Sequence, residues 1–138
     1  MSINIYGAGI AGLSLAASLS ANRFENYKIF EKASEIRKSD TAVQLGFNSF
    51  KALKDLGIME LVKNKSIATN SLNIYSKNNF LKKTCIKGTL LIQRNDLIEI
   101  LLSKIDTNKI VFNKKFNNEK TSKTDLNVDA TGGRDGVD

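Results

Sequence analysis

The chain has 138 residues, of which 41 % are hydrophobic and 25 % charged, and its formal net charge is +7. This balance is typical of one globular domain, and no segment approaches the roughly 18 apolar residues that a membrane-spanning helix needs. The lack of any His and the single cysteine, Cys85, argue against zinc sites and against Ser-His or Cys-His catalysis.

The distribution of charge and the N-terminal residues bear on the partners and the cellular compartment of the chain. The 21 basic residues are scattered rather than clustered, which indicates a solvated lysine surface and no nucleic-acid partner. Asn4 interrupts the N-terminal apolar run and no basic region precedes it, so a signal peptide is not predicted. We expect a cytoplasmic protein in a reducing compartment, with Cys85 a half-buried apolar residue.

The first predicted elements are a strand, a glycine turn, a helix and a second strand. A short apolar run with Ile3 and Ile5 leads into the pattern Gly7-x-Gly9-x-x-Gly12. Apolar residues then recur at helical spacing, and Tyr27 to Phe30 form a short strand that ends at Glu31. This order predicts a dinucleotide-binding β-α-β unit, with an ordinary strand-helix turn as the alternative.

Each residue of this turn has a predicted role. Gly7 permits the tight turn, Gly9 leaves room for a pyrophosphate, and Gly12 lets the helix pack closely on the strand. The backbone N–H groups of Ile10 and Ala11 lie in the first helical turn, where the helix dipole favours an anion. Glu31 follows Gly12 by nineteen residues, a spacing that suits a carboxylate accepting hydrogen bonds from ribose hydroxyls and repelling a 2′-phosphate.

The middle of the chain changes from helical to strand periodicity. After a polar loop, a short extended segment over 41–45 precedes a helix that Asn48 caps and Gly57 ends, and a helical turn over 58–63 follows. Alternating residues over 71–75 and 80–86 predict a β-hairpin, and Gly88 predicts another turn before a segment over 90–92.

The last third of the chain returns to alternating helix and strand. Arg94 precedes a third helix, capped by Asn95 or Asp96, with apolar residues spaced to face a core. A short strand over 109–112 follows, then an exposed connection over 113–125, a strand over 126–130 and a glycine turn over 131–136. The fold prediction is α/β, with a mainly parallel central sheet and a small antiparallel β-hairpin insertion.

Three stretches together resemble the flavoprotein aromatic hydroxylases, the FAD-dependent monooxygenases that include p-hydroxybenzoate hydroxylase and the ubiquinone-pathway hydroxylases. The first is the glycine turn whose second strand ends in Glu31-Lys32. The second runs from Val43 to Ile58, an extended segment, an Asn, a helix and Leu56-Gly57. The third is Arg94-Asn95-Asp96-Leu97, which is similar to the family's Arg-x-x-Leu at a helix start.

The closing turn resembles the family less closely. Thr131 stands where the aromatic hydroxylases carry an Asp that is tied to cofactor and nicotinamide handling. The segment Asp129-Ala130-Thr131-Gly132 is more similar to geranylgeranyl reductases and flavin-dependent halogenases. The resemblance therefore extends to the wider flavin monooxygenase-like superfamily.

The resemblance implies a Rossmann-like FAD-binding domain over residues 1–138, with NAD(P)H as the reductant and an aromatic or isoprenoid acceptor. It implies cofactor contacts by Gly7, Gly9, Ile10, Ala11, Gly12, Glu31, Lys32, Arg94 and Gly132, and no catalytic residue is nominated. Family members continue through a second Gly-Asp motif and a substrate-covering sheet that have no counterpart here. We therefore expect a single truncated domain without the substrate domain, partnered by a complementary chain; the alternative is a non-catalytic nucleotide-binding remnant or interaction module.

Overall fold

The computed structural model describes residues 1–115 and 125–132, except for the side chain of Lys87. In chain order the elements are β1 Ile3–Tyr6, α1 Ile10–Ala21, β2 Tyr27–Phe30, β3 Ala42–Leu45, α2 Phe47–Asp55, α3 Met59–Lys65, β4 Ser66–Ser76, β5 Asn79–Gln93, α4 Arg94–Leu102, a 3-10 turn Thr107–Lys109, β6 Ile110–Val111 and β7 Leu126–Asp129. They form two compact units. The discontinuous unit comprises the described residues of Met1–Ser39 and Leu97–Asp138, and the middle unit comprises Asp40–Asp96.

The discontinuous unit is built on a four-stranded sheet in the order β6-β2-β1-β7. All three strand pairs are parallel, and β1 lies between β2 and β7 over its whole length. Ile5 and Ile29 are register partners at the centre of the sheet, and neither side chain is exposed. Burial alternates along β1 and β2: Ile5 and Ile29 are buried, whereas Asn4 and Lys28, the residues before them, are more exposed.

Helix α1 packs against this sheet through small residues. Its buried positions are Gly12, Leu13, Ala16 and Ala17, which recur at helical spacing. Asn22 ends the helix, and its backbone N–H and side-chain amide both donate to the carbonyl oxygen of Ser18. The Tyr27 hydroxyl lies 2.6 Å from the Ser20 hydroxyl, so the buried phenol of β2 has a polar partner on the helix.

The middle unit contains a three-stranded antiparallel sheet in the order β3-β5-β4. Three apolar side chains of this unit are almost fully buried: Ile92 of β5, Val62 of α3, and Ile58, which directly precedes α3. Helix α2 ends as predicted at Gly57, where the N–H groups of Gly57 and Ile58 donate to the carbonyls of Lys54 and Leu53. These bonds turn the chain directly into α3.

The antiparallel part is larger than the sequence predicted. The predicted turn at Gly88 is wrong, because β5 runs through this residue as far as Gln93. Gly88 instead lies at a bulge where the register shifts between the pairs Thr69–Thr89 and Ser71–Cys85. Its φ is +74°, and an added Cβ would lie 2.5 Å from the Phe47 ring, so glycine lets the strand bend without ending.

Three smaller expectations were also wrong. Asn48 lies inside α2, whose N-cap is Gly46, and the Gly46 carbonyl accepts hydrogen bonds from both the N–H and the hydroxyl of Ser49. Helix α4 begins at Arg94, so Asn95 and Asp96 lie in its first turn rather than before it. Cys85 is exposed, as are most residues of the hairpin section in which it lies.

The structure confirms an α/β fold with a mainly parallel sheet and an antiparallel part. No helix in the described ranges has the length and apolar character to cross a membrane.

Candidate dinucleotide site

The carboxyl ends of three parallel strands meet at one edge of the four-stranded sheet. Gly7 follows β1, Glu31 follows β2, and Ala130 follows β7. In the sheet, β2 pairs with one edge of β1 and β7 pairs with the other edge, so the strand order reverses beside β1. Ligands of open parallel sheets bind at such reversals, outside the carboxyl ends of the strands.

Gly7 is fixed by the two strands that flank β1. Its N–H donates to the Phe30 carbonyl at 2.8 Å, and the Ala130 N–H donates to the Tyr6 carbonyl at 2.8 Å. Its φ is +109°, and an added Cβ would lie 2.6 Å from the carbonyl oxygen of Ala130. Both the backbone conformation and the space therefore require glycine, as a tight turn off β1 demands.

Gly12 brings α1 against the turn. An added Cβ would overlap the carbonyl oxygen of Gly7 and lie 3.3 Å from Cγ2 of Ile5. The close packing of helix on strand, which the sequence predicted for this position, is present.

Gly9 differs from both neighbours. Its φ of −84° and ψ of −173° are allowed for any residue, and an added Cβ would have no atom of the described residues within 4 Å. Neither conformation nor packing in the protein requires glycine here. What an added side chain would fill is the space before the N-terminus of α1.

That N-terminus offers unpaired donors. Gly9 is the N-cap residue and supplies no side-chain hydrogen bond to the helix, whose first turn also contains no acidic residue. The N–H groups of Ile10 and Ala11 lie in this first turn, where an α-helix has no acceptors of its own. The end of the helix thus suits an anion that approaches over Gly9.

Glu31 connects β2 to the glycine turn. Its Oε2 accepts a hydrogen bond from the Ala8 N–H at 2.8 Å, and its Oε1 accepts one from the Ala33 N–H at 3.0 Å. The sequence pattern placed this carboxylate beside the turn but did not reveal its bond to Ala8. An ionised carboxylate has about four acceptor positions, so both oxygens retain capacity for hydroxyl donors.

The turn after β7 is held by its own side chains. Asp129 Oδ1 accepts hydrogen bonds from the N–H of Thr131 at 2.9 Å and from its hydroxyl at 2.7 Å. These bonds, the backbone one foremost, lower the pKa of the Asp129 carboxyl. Gly132 follows with a φ of +81° and open space around its Cβ position. The remainder of the predicted glycine turn, 133–136, lies outside the described residues.

The other predicted contacts are placed differently. Lys32 is exposed in the loop after Glu31. Arg94 belongs to the middle unit, where its N–H donates to the Thr41 carbonyl at 2.9 Å. The structure thus brings together Gly7, Gly9, Ile10, Ala11, Gly12, Glu31 and Gly132 in the discontinuous unit, and their cofactor roles remain predictions.

Solved structures share this fold over most of the chain. The chain matches 2-methyl-3-hydroxypyridine-5-carboxylic acid oxygenase with a TM-score of 0.68 and 24 % identity, covering 81 % of this chain and 31 % of that one. It also matches HpxO of Klebsiella pneumoniae in complex with FAD, with a TM-score of 0.66 and 18 % identity over 83 % of this chain and 32 % of that one. The chain therefore has the fold of about a third of each of these two proteins.

Sequence comparison finds similar proteins that are longer than this chain. The chain is 28 % identical over 117 residues to 2-heptyl-3-hydroxy-4(1H)-quinolone synthase of Pseudomonas aeruginosa, covering 80 % of this chain and 30 % of that protein. It is 34 % identical over 70 residues to 3-hydroxybenzoate 6-hydroxylase of Klebsiella oxytoca, covering 51 % of this chain and 17 % of that protein. No protein-family model matches. These similarities support the resemblance to the flavoprotein aromatic hydroxylases, and the chain spans about 30 % of the length of the first of these relatives.

Proposed function

We propose that this chain binds FAD at the carboxyl edge of its parallel sheet, as the FAD-binding part of a flavin-dependent monooxygenase-like oxidoreductase. The observation that carries the proposal concerns Gly9, at which neither the backbone conformation nor packing against the described residues requires glycine. A pyrophosphate held by the first turn of α1 supplies that reason, since it needs the space that a side chain would occupy.

The residues at this edge fit a Rossmann-like FAD site. Ile10 and Ala11 would donate their N–H groups to the pyrophosphate, and Glu31 would accept hydrogen bonds from the adenosine ribose. The carboxylate suits a free ribose better than a 2′-phosphate, because two like charges would meet there. Lys32, Arg94 and the turn at Gly132 are proposed as further contacts with the phosphate or ribityl part.

The reaction is proposed for the whole protein, since this chain spans only about 30 % of such a relative. Bound FAD supplies the redox chemistry, with NAD(P)H as reductant and dioxygen as the source of the oxygen transferred. The acceptor is proposed to be aromatic, because 2-heptyl-3-hydroxy-4(1H)-quinolone synthase and 3-hydroxybenzoate 6-hydroxylase are both named for aromatic compounds. A polypeptide carrying the rest of the enzyme is the proposed partner, and a cytoplasmic location remains a prediction.

The test measures FAD binding by isothermal titration and by the thermal stability that FAD adds. We expect Gly9→Val to abolish binding by placing a branched side chain against the pyrophosphate. Gly9→Ala pairs with Gly46→Ala as a matched control, since Gly46 is also an N-cap glycine with extended φ and ψ of −92° and −179°. Both substitutions lose the same N-cap preference, and the added Cβ at Gly46 would also lie 3.2 Å from Asn48 Oδ1, so the unfolding midpoint of Gly46→Ala is expected to fall at least as far, while FAD affinity falls only for Gly9→Ala.

Two results would contradict the proposal. Undiminished FAD affinity in Gly9→Val would remove the glycine turn from the site. A wild-type protein that gains no thermal stability from FAD would instead favour the second hypothesis, a non-catalytic remnant or interaction module, for which Thr131 in place of the family's Asp is the specific observation.

A further inference from the structure

The free edge of β4 is the feature that the proposed function leaves unused. In the described part of the chain β4 pairs with β5 alone, so its outer edge presents unpaired backbone groups. The strand is 11 residues long, and none of them is charged or a proline. Charged residues and prolines are the usual means by which proteins prevent edge strands from pairing, so this edge is unprotected by its sequence.

The regular part of that edge lies between two irregularities. Register shifts occur between Thr69 and Ser71 and between Ile74 and Tyr75, and residues 71–74 pair without interruption with residues 82–85. Leu72 and Ile74 project from one face, 46 % and 40 % exposed. Tyr75 and Phe80 are 57 % exposed, with ring centroids 5.6 Å apart. Apolar side chains thus flank a short, regular and open strand edge.

The charge around this edge has one sign. Residues 61–95 contain no Asp or Glu, whereas they contain six lysines and Arg94. Lys82 is the register partner of Ile74 and Lys83 that of Asn73, so the two lysines project from opposite faces of the sheet. Any strand that adds to β4 would therefore have cations within reach on both faces.

We propose that the free edge of β4 accepts a strand from a second polypeptide that carries acidic side chains. The backbone of residues 71–74 would form the new ladder, and Leu72 and Ile74 would contact apolar side chains of the added strand. The added strand would lie roughly 10 Å from β5, two strand spacings, which the side chains of Lys82 or Lys83 and a facing glutamate span together. This interaction is independent of FAD binding.

Two other occupants fit less well. A bilayer has no groups that pair with an open strand edge, so insertion would leave backbone N–H and C=O groups unsatisfied in hydrocarbon. A second copy of this chain that adds through its own β4, which has no charged residue, would offer Lys82 and Lys83 no acidic partner and would bring further lysines. An acidic strand satisfies both the edge and the charge.

The experiment uses labelled synthetic peptides of about ten residues, a typical strand length, and fluorescence anisotropy with the full chain. The acidic probe alternates valine and glutamate. One control peptide has lysine for glutamate, and another keeps the glutamates but carries N-methyl groups on its central residues. We expect saturable binding of the acidic probe, about tenfold weaker for the N-methylated peptide because it loses ladder hydrogen bonds.

Charge reversal in the protein tests the lysines. The double substitution Lys82→Glu with Lys83→Glu is expected to weaken acidic-probe binding by about tenfold through loss of the facing ion pairs. Lys54→Glu, in exposed α2 of the same unit, is the control and is expected to leave binding unchanged. Circular dichroism checks that each variant keeps its fold.

Several outcomes would overturn the proposal. Equal binding of the acidic and N-methylated peptides would show attraction of charge without strand addition. Dimerisation of the chain in light scattering, or binding to phosphatidylglycerol vesicles without binding to the acidic probe, would assign the surface to a different occupant. FAD affinity is expected to be unchanged in all these variants, so failure of this proposal can be distinguished from failure of the proposed cofactor site.

Discussion

The carboxylate of Glu31 accepts a hydrogen bond from the backbone N–H of Ala8, so the end of β2 holds the start of the glycine turn. Ala8 is 3 % exposed, and its N–H has no ready access to water if the carboxylate is removed. We expect Glu31→Ala to lower the free energy of unfolding by about 1–3 kcal/mol, the cost of an unsatisfied buried donor. Urea unfolding measures the loss, and Lys32→Ala in the next, exposed position is the control.

Glu31→Gln separates the two functions of this side chain. Glutamine offers one oxygen, so it can satisfy Ala8 or Ala33 but not both, and stability is expected to fall less than in Glu31→Ala. The affinity for FAD is expected to fall in both variants because the ribose loses a charged acceptor. Equal FAD affinity in Glu31→Gln and wild type would contradict the ribose role while leaving the structural role intact.

Gly12→Ala is expected to destabilise the fold more than Gly9→Ala does. A methyl group at Gly12 would overlap the Gly7 carbonyl and press on Ile5, which is fully buried. The expected loss is about 3 kcal/mol, the upper range for overpacking a core. Thermal unfolding without any ligand makes the comparison, and equal midpoints for Gly12→Ala and Gly9→Ala would contradict the assigned packing.

Asp129 is expected to titrate below its ordinary pKa because Thr131 donates two hydrogen bonds to it. A carboxyl whose pKa is lowered by folding stabilises the protein above its unfolded pKa, and this stabilisation is lost as the pH falls through the folded pKa. Thr131→Val removes the hydroxyl but keeps the backbone N–H, so the pKa is expected to rise part of the way. NMR titration of the Asp129 carboxyl measures the change, and no rise would show that the hydroxyl bond contributes nothing.

Lys109, the residue before β6, contacts the segment that precedes β2. Its ammonium forms an ion pair with Glu25 and lies 4.3 Å from the centroid of the Tyr27 ring. The hydrogen bond to Glu25 is the main reason that the pKa of Lys109 is raised. Lys109→Met keeps the aliphatic contact and is expected to cost less than about 1 kcal/mol, whereas Lys109→Ala is expected to cost more. Added salt screens the ion pair, so it is expected to reduce the difference in the free energy of unfolding between wild type and Lys109→Met, measured by urea unfolding.

The sequence predicted the parallel half of the fold better than the antiparallel half. The pattern from Ile3 to Glu31 is local, since its glycines, helical spacing and terminal acid each meet a demand of structure that lies close to them in the chain. β5 was less predictable because Gly88, usually a sign of a turn, is accommodated as a bulge by pairing with a strand about twenty residues away. The cap of α2 was misplaced for a local reason: the N-cap lies two residues before the predicted cap Asn48, at Gly46, whose carbonyl accepts hydrogen bonds from the N–H and the hydroxyl of Ser49.

The candidate site shows the same division. The residue types at Gly7, Gly12 and Glu31 could be read from spacing, since they meet demands of one β-α-β unit. The contact of Gly7 with Ala130 could not, because β1 and β7 are joined by pairing across 123 residues of chain. The hydrogen bonds between Thr131 and Asp129 were likewise not predicted, since in the sequence Thr131 stood out only as a departure from a family pattern.

The discontinuous unit also has a consequence for synthesis. On the ribosome, β1, α1 and β2 emerge long before β7, which follows the whole of the middle unit. At about 5–20 residues per second, roughly 6 to 25 seconds separate β1 from its second neighbour. During that interval the nascent chain exposes an unpaired edge of β1, so its folding depends on what occupies that edge, a chaperone or the ribosome surface, until β7 arrives.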